Sequence, residues 1–223
     1  MRCISRAKSA ALVCVASISL FTGGCIGGKG ATPVTAYELK NYNQDLYQGK
    51  LYAEELCVAQ NDVALQGYTE DNELHSAALF DLTGERVLYS YKAHERLYPA
   101  STTKIMTCIL ALENCKLNEK VTFSPYAASI EPSKLYANAG EVFYLKDLLY
   151  SLMLPSHNDT AVAIAEHVSG STAKFVDLMN KKAAAIGCTN THFATPNGLD
   201  FGYDHYTTAS DLAKIARYAI KRN

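Results

Sequence analysis

The texture of the apolar positions changes along the chain, and each change predicts a different element. Ala10 to Phe21 is an uncharged, mostly apolar stretch behind Arg2, Arg6 and Lys8. It is shorter than the roughly 20 residues that span a bilayer and matches the apolar region of a secretion signal. Residues 26–50 mix Gly, Thr, Asn, Gln and scattered Tyr without a period, as a tether would. Ser76–Phe80 and Arg86–Tyr91 are strand-like runs flanking Asp81-Leu82-Thr83-Gly84-Glu85, which predicts a β-hairpin with Gly84 in the turn. Pro99 biases the residue before it towards extended backbone. From Ser101 to about Glu113 the chain then carries Ile105, Met106, Cys108, Ile109, Leu110, Ala111 and Leu112. A helix that is apolar on nearly every face belongs inside a domain.

Further helices are predicted at about Leu145–Met153, Asp159–Val168, Thr172–Ile186 and Ala209–Lys221. Gly170 and Gly187 are placed to end the second and third of these in left-handed caps. Thr208-Ala209-Ser210-Asp211 opens the last in the pattern of a capping box. No repeat or low-complexity tract interrupts the 223 residues.

Composition adds little to the fold and more to location. Apolar residues make up 48 % and charged residues 19 %, enough for a real core. Thr22-Gly23-Gly24-Cys25 resembles a bacterial lipobox, in which Cys25 would be lipidated; ordinary cleavage after Val34-Thr35-Ala36 is the other reading. Both readings export the chain; the lipobox reading makes residues 1–24 the signal and 25–50 a tether, carrying a domain from 51 to 223 outside the cytoplasm. Removing residues 1–24 leaves 18 Lys+Arg against 22 Asp+Glu, a net of −4. With no basic run remaining, nucleic acid is excluded as an expected partner. Cys57, Cys108, Cys115 and Cys188 match neither a disulfide scaffold nor a zinc spacing and are expected as small buried hydrophobes. His75, His94, His167, His192 and His205 form no H-E-x-x-H set, so neither metal nor cofactor is expected.

Chemistry is suggested by Ser-x-x-Lys, which occurs three times. Ser5–Lys8 lies in the signal. Ser171–Lys174 opens an amphipathic helix, where Ser171 is expected as an N-cap and Lys174 as solvated. Ser101–Lys104 sits on the first turn of the apolar helix. Positions i and i+3 share a face, backbone N–H groups are free there, and apolar surroundings lower a lysine pKa and release the amine as a base. The bland alternative is a capping serine beside a surface lysine. Ser156-His157-Asn158 follows Leu154-Pro155 and precedes a helix, so a loop projects Ser156 and Asn158; plain helix capping is again the alternative.

Ser-x-x-Lys followed by Ser-x-Asn is the pattern of penicillin-binding proteins and class A β-lactamases. The chain resembles the serine D-alanyl-D-alanine carboxypeptidases over about residues 74–221. The resemblance is carried by Tyr98-Pro99-Ala100-Ser101-Thr102-Thr103-Lys104, Ala139-Gly140-Glu141, Ser156-His157-Asn158-Asp159 and Pro196-Asn197-Gly198-Leu199-Asp200, among other segments. It implies a mixed α/β fold of the β-lactamase/transpeptidase type, with helices packed on an antiparallel sheet. It implies hydrolysis of the terminal D-Ala–D-Ala bond of peptidoglycan stem peptides, with Ser101 as nucleophile, Lys104 as base, Ser156 assisting and Asn158 binding substrate. β-Lactams would acylate the same serine, and a lipid on Cys25 would anchor the protein to the outer face of the bacterial cytoplasmic membrane. Two departures stand out. His157 occupies a position that is often Gly in the family, and the family's third motif, Lys-Thr-Gly, is absent. The resemblance therefore leads us to expect a catalytic domain that is incomplete at its C-terminus and poorly active as it stands. A class A-like β-lactamase and an inactive, tethered cell-wall binding protein are the alternatives.

Overall fold

The computed structural model describes residues 51–53, 58–59, 61–68, 73–82, 86–200, 202 and 204–221. The predicted signal, Cys25, the tether, Cys57 and Gly84 lie outside the described residues. The described residues form two compact units divided between Lys92 and Ala93, a boundary that falls inside the expected 51–223 domain.

The first unit is built from antiparallel pairs. β1 (Leu51–Ala53) pairs with β2 (Val58–Ala59), and β3 (Ala77–Asp81) pairs with β4 (Arg86–Tyr91), close to the predicted hairpin. The register sets Phe80 opposite Val87, and both are buried, because alternation along a strand puts cross-strand partners on one face. The segment before the hairpin is tied to β4 by backbone and side chain together. Ser90 N–H donates to the Val63 carbonyl at 2.8 Å, and Val63 N–H donates to Ser90 Oγ at 2.8 Å.

The second unit holds the remaining elements: a 3₁₀ turn (Ala100–Thr102), α1 (Thr103–Asn114), β5 (Lys120–Thr122), α2 (Pro125–Ala128), β6 (Val142–Tyr144), α3 (Leu145–Met153), α4 (Asn158–Ser169), α5 (Thr172–Ile186) and α6 (Ala209–Lys221). α3, α5 and α6 have the predicted bounds. Gly170 and Gly187 cap α4 and α5 with φ of 78° and 90°, a conformation that costs glycine nothing. The β5–β6 pair, with α2 between its strands, was not predicted; each strand is only three residues long, and although the middle residue of each is the least exposed, three positions are too few to reveal a period in the sequence. The expected antiparallel pairing is thus present in three separate two-stranded pieces among the described residues.

α1 lies between two buried clusters. Ala111 packs with Val121, Phe123, Leu148, Leu152 and Val162, while Met106 and Leu110 pack with Phe175, Met179, Phe193 and Ile215. One expectation needs correction: α1 is apolar all round but not buried all round. Leu112 is 51 % exposed, and Ile105 and Cys108 are half-buried. These three lie on one stripe at i, i+3 and i+7. An apolar face shows what a helix tolerates, and folded surfaces always carry some apolar residues. Cys115 is likewise half-buried rather than buried, and Cys188 is buried as expected.

The capping box of α6 is half made. Thr208 Oγ1 accepts from Asp211 N–H at 3.0 Å. The Asp211 carboxylate is turned to Asn190 N–H, Thr191 Oγ1 and Lys214 Nζ, each at 2.8 Å. Lys214 is as deeply buried as Asp211, and a buried ammonium needs the carboxylate more than a helix end does. Among the described residues no helix is long and apolar enough to cross a membrane.

Candidate active site

The site is assembled where α1 and α4 begin. Ahead of α1, Thr102 donates to the Pro99 carbonyl from both its N–H and its hydroxyl, at 3.1 and 2.6 Å, and this tightens the chain into the 3₁₀ turn. Ala100 within it has φ 46°, a left-handed conformation that costs an L-residue about 1–2 kcal/mol. Strain of this kind persists only where surrounding structure enforces it. Here Gly198 lies hard against it: a Cβ on Gly198 would sit 1.9 Å from the Ala100 carbonyl oxygen. Gly198 itself has φ 86°, so both its backbone and its missing side chain are required. The Ala100 carbonyl shares a peptide plane with the Ser101 N–H, so this contact also fixes where that N–H points.

Ser101 emerges exposed from the turn, and Lys104, one turn further, is 2 % exposed. The Lys104 amine has three partners: Asn158 Oδ1 at 2.7 Å, the Asn197 carbonyl at 2.9 Å and Ser101 Oγ at 3.0 Å. Two of these can only accept. The third, a hydroxyl, can accept from an ammonium or donate to an amine. Burial lowers the Lys104 pKa to about 8, because the charged form loses hydration that the apolar surroundings do not replace. Once neutral, Lys104 gives its two N–H bonds to Asn158 and Asn197, and its lone pair faces the Ser101 hydroxyl.

Asn158 is held from the opposite side. Its N–H donates to the Ser133 carbonyl at 2.8 Å and its Nδ2 to the Pro132 carbonyl at 2.6 Å, which leaves Oδ1 for the lysine. Asp159 Oδ1 accepts from Leu135 N–H at 2.9 Å, so the first turn of α4 pins the 132–135 loop. Ser156 stands two residues earlier with φ 64°, and its hydroxyl makes no hydrogen bond among the described residues. The His157 ring turns away towards α3, with Nδ1 2.8 Å from Ser151 Oγ. That contact gives the unusual residue of this motif a packing role.

A third segment completes the site. Thr103, Lys104 and Thr107 lie on one face of α1 and bond to His205 Nε2 (2.9 Å), Asn197 O (2.9 Å) and Pro196 O (2.6 Å) respectively. His205 Nδ1 accepts from Ala194 N–H at 3.1 Å, so its proton lies on Nε2 and is donated to Thr103. Burial holds this imidazole below its usual pKa and keeps it neutral. The Asp211 network and the pairing of His192 with Tyr206 anchor the same segment from behind.

Of the predicted residues, the structure gathers Ser101, Lys104 and Asn158 around one amine and leaves Ser156 nearby but unbonded to it. Ser171 caps α5, accepting from Lys174 N–H at 3.3 Å, and Lys174 is exposed. Glu166 lies in the last turn of α4, about 12 Å along the helix from Asn158. Sequence reasoning missed the Asn197 carbonyl and Gly198 as parts of the site. The available signal, Pro196-Asn197-Gly198, predicts only a turn, and a backbone acceptor carries no residue signature.

Comparison with known proteins places the chain in a family. Residues 64–223 match the family model of D-alanyl-D-alanine carboxypeptidase. The D-alanyl-D-alanine carboxypeptidase DacF of Bacillus subtilis is 41 % identical over 155 residues, which are 67 % of this chain and 40 % of the relative. DacA of Haemophilus influenzae is 34 % identical over 151 residues, 64 % of this chain and 38 % of the relative. The crystal structure of DacD from Francisella tularensis superposes with a TM-score of 0.66 at 37 % identity, over 73 % of this chain and 40 % of that one. The chain thus spans about two fifths of the length of these relatives. With the family model covering most of its length and the mixed α/β fold shared with solved members, the chain belongs to the D-alanyl-D-alanine carboxypeptidase family.

Proposed function

We propose that this protein is a serine D,D-carboxypeptidase that cleaves the terminal D-Ala–D-Ala bond of peptidoglycan stem peptides and is acylated by β-lactams at Ser101. Ser101 Oγ attacks the carbonyl carbon of the penultimate D-Ala while its proton passes to the neutral Lys104 amine. The Ser101 N–H, oriented by the Ala100–Gly198 contact, donates to the developing oxyanion. The C–N bond then breaks as the proton taken up by Lys104 is passed, by way of Ser156, to the nitrogen of the departing D-Ala, which returns the amine to its neutral form, and water hydrolyses the acyl-enzyme. Asn158 fixes the amine and offers an amide to the substrate. One observation carries this reading: a buried lysine with a pKa of about 8, two fixed acceptors and an exposed serine at 3.0 Å. Ser171–Lys174 shows that the motif alone does not produce this.

The test is intact-mass and peptide mass spectrometry of the protein as its own cell produces it, after exposure to penicillin. A single adduct on the peptide containing Ser101, absent in Ser101→Ala, is the expected result. An adduct that survives Ser101→Ala refutes the assignment. The same intact mass determines the N-terminus. We propose a diacylated Cys25 holding the protein at the outer face of the membrane, since two acyl chains anchor stably; a mature N-terminus at Tyr37 would show secretion without an anchor.

A further inference from the structure

α1 and α4 both run from the proposed active site to a second cluster of reactive side chains. Cys115 is the C-cap residue of α1. His167 lies in the last turn of α4, and Glu119 lies just before β5. Cys115 Sγ, a Glu119 carboxylate oxygen and a His167 ring nitrogen all fall within 4.8 Å of one another, and all three residues are half-buried. His167 Nε2 is 3.1 Å from Glu119 Oε2. The other Glu119 oxygen accepts from Lys116 N–H at 2.7 Å, which fixes the carboxylate and leaves Oε2 for the cluster.

We propose that Cys115 Sγ, Glu119 Oε2 and His167 Nε2 form a site for one divalent cation of the zinc class, with water as the fourth ligand. The donor set decides the class. Thiolate and imidazole select a borderline-soft ion over magnesium or calcium, which take oxygen ligands. Zinc bonds of about 2.0–2.3 Å at tetrahedral angles put donor atoms roughly 3.2–3.8 Å apart. The His167–Glu119 pair, at 3.1 Å, lies just short of this spacing, and the Cys115 sulfur, within 4.8 Å of both donor atoms, closes the rest by rotating about its side-chain bond. Two helix C-terminal ends converge on the site, and each carries about half a negative charge that favours a cation. On binding, the Cys115 S–H bond breaks, its proton passes to solvent and the sulfur–metal bond forms. His167 ligates through the Nε2 lone pair, with its proton on Nδ1. No sequence spacing announces such a site, because 48 residues separate Glu119 from His167. The ion would clamp the far ends of the two helices whose near ends share the Lys104–Asn158 bond, so it stabilises the fold without touching the acylation chemistry.

The experiment takes the untagged protein as its cell produces it, equilibrates it with Zn²⁺ or Co²⁺ and removes loosely held ions by dialysis. One Zn²⁺ per chain is expected, together with a higher melting temperature. Co²⁺ should give the intense visible bands of four-coordination and a near-ultraviolet thiolate charge-transfer band. Cys115→Ser should abolish that band, and His167→Gln and Glu119→Gln should each weaken Zn²⁺ binding by about tenfold or more. Cys108→Ser should bind as the parent protein does. His167→Gln, at a partly exposed position, decides the matter if Cys115→Ser does not fold. No retained metal overturns the proposal, as does a six-coordinate Co²⁺ spectrum without the sulfur band, or parent-like binding by either Cys115→Ser or His167→Gln.

Discussion

At the start of α5 a serine and a lysine three residues apart do nothing more than begin a helix. Ser171 Oγ accepts the Lys174 backbone N–H, and the lysine side chain stands in water. At the start of α1 the same two residue types are arranged the other way round. Ser101 is exposed and caps nothing, while Lys104 turns inward to three oxygens. Helical spacing is common to both, so spacing is not what distinguishes them. What differs is the company. The turn before α1 carries the strained Ala100 pressed against Gly198, and apolar residues on both sides of α1 leave the amine without solvent. α5 keeps its polar face, and Lys174 pays no desolvation penalty there.

If that difference is the cause, removing the amine should have the largest effect. Lys104→Met keeps the stem and apolar contacts but deletes the base, and a positioned base contributes about 10²–10⁴-fold. Stopped-flow acylation by a chromogenic cephalosporin should slow by that factor, while circular dichroism still shows a folded protein. A loss below about tenfold would mean that another group takes the proton.

Gly198→Ala tests the turn rather than the base. Its Cβ cannot coexist with the Ala100 carbonyl at 1.9 Å, so the Ala100–Ser101 peptide must shift and the Ser101 N–H must re-aim. A loss of about 3 kcal/mol in chemical denaturation is expected. Acylation should also fall by about tenfold or more, as part of the contribution of one oxyanion donor is lost. Acylation at the parent rate in the folded variant would show that Gly198 does not orient the site.

The smallest effect belongs to the other motif. Ser171→Ala removes an N-cap worth about 1 kcal/mol and should lower the melting temperature slightly. Penicillin labelling should be unchanged, and any slowing of acylation would erase the contrast between the two pairs.

Much of this contrast was legible in the sequence. Ser101 and Lys104 were separable from Ser171 and Lys174 because the residues that follow them differ in polarity over several turns, and polarity is what periodicity reports. The ends of α5 were legible too, since Ser171 and Gly187 act through local backbone geometry. The Asn197 carbonyl was not, because an acceptor on the main chain could come from any residue and reaches Lys104 only through tertiary packing of the 194–198 segment. The return of Asp211 to Lys214 rather than to its own helix end was hidden for a similar reason. The competing cation has the usual i+3 spacing of a surface pair, and only its burial decides the outcome. His157 stood out in the sequence only as a departure from the family's usual Gly. Its ring bonds to Ser151 on α3, a partner that no local pattern supplies.

The most direct measurement of the central claim, that burial makes Lys104 a base for Ser101, is the pH dependence of the acylation rate constant at Ser101. Lowering a lysine pKa to about 8 makes the neutral, competent form dominant above that pH and removes it below. The rate should therefore be level above about pH 8 and fall about tenfold for each pH unit below it. A rate constant that is flat from about pH 6 to pH 9, or that rises as the pH falls, would contradict the assignment of Lys104 as the proton acceptor.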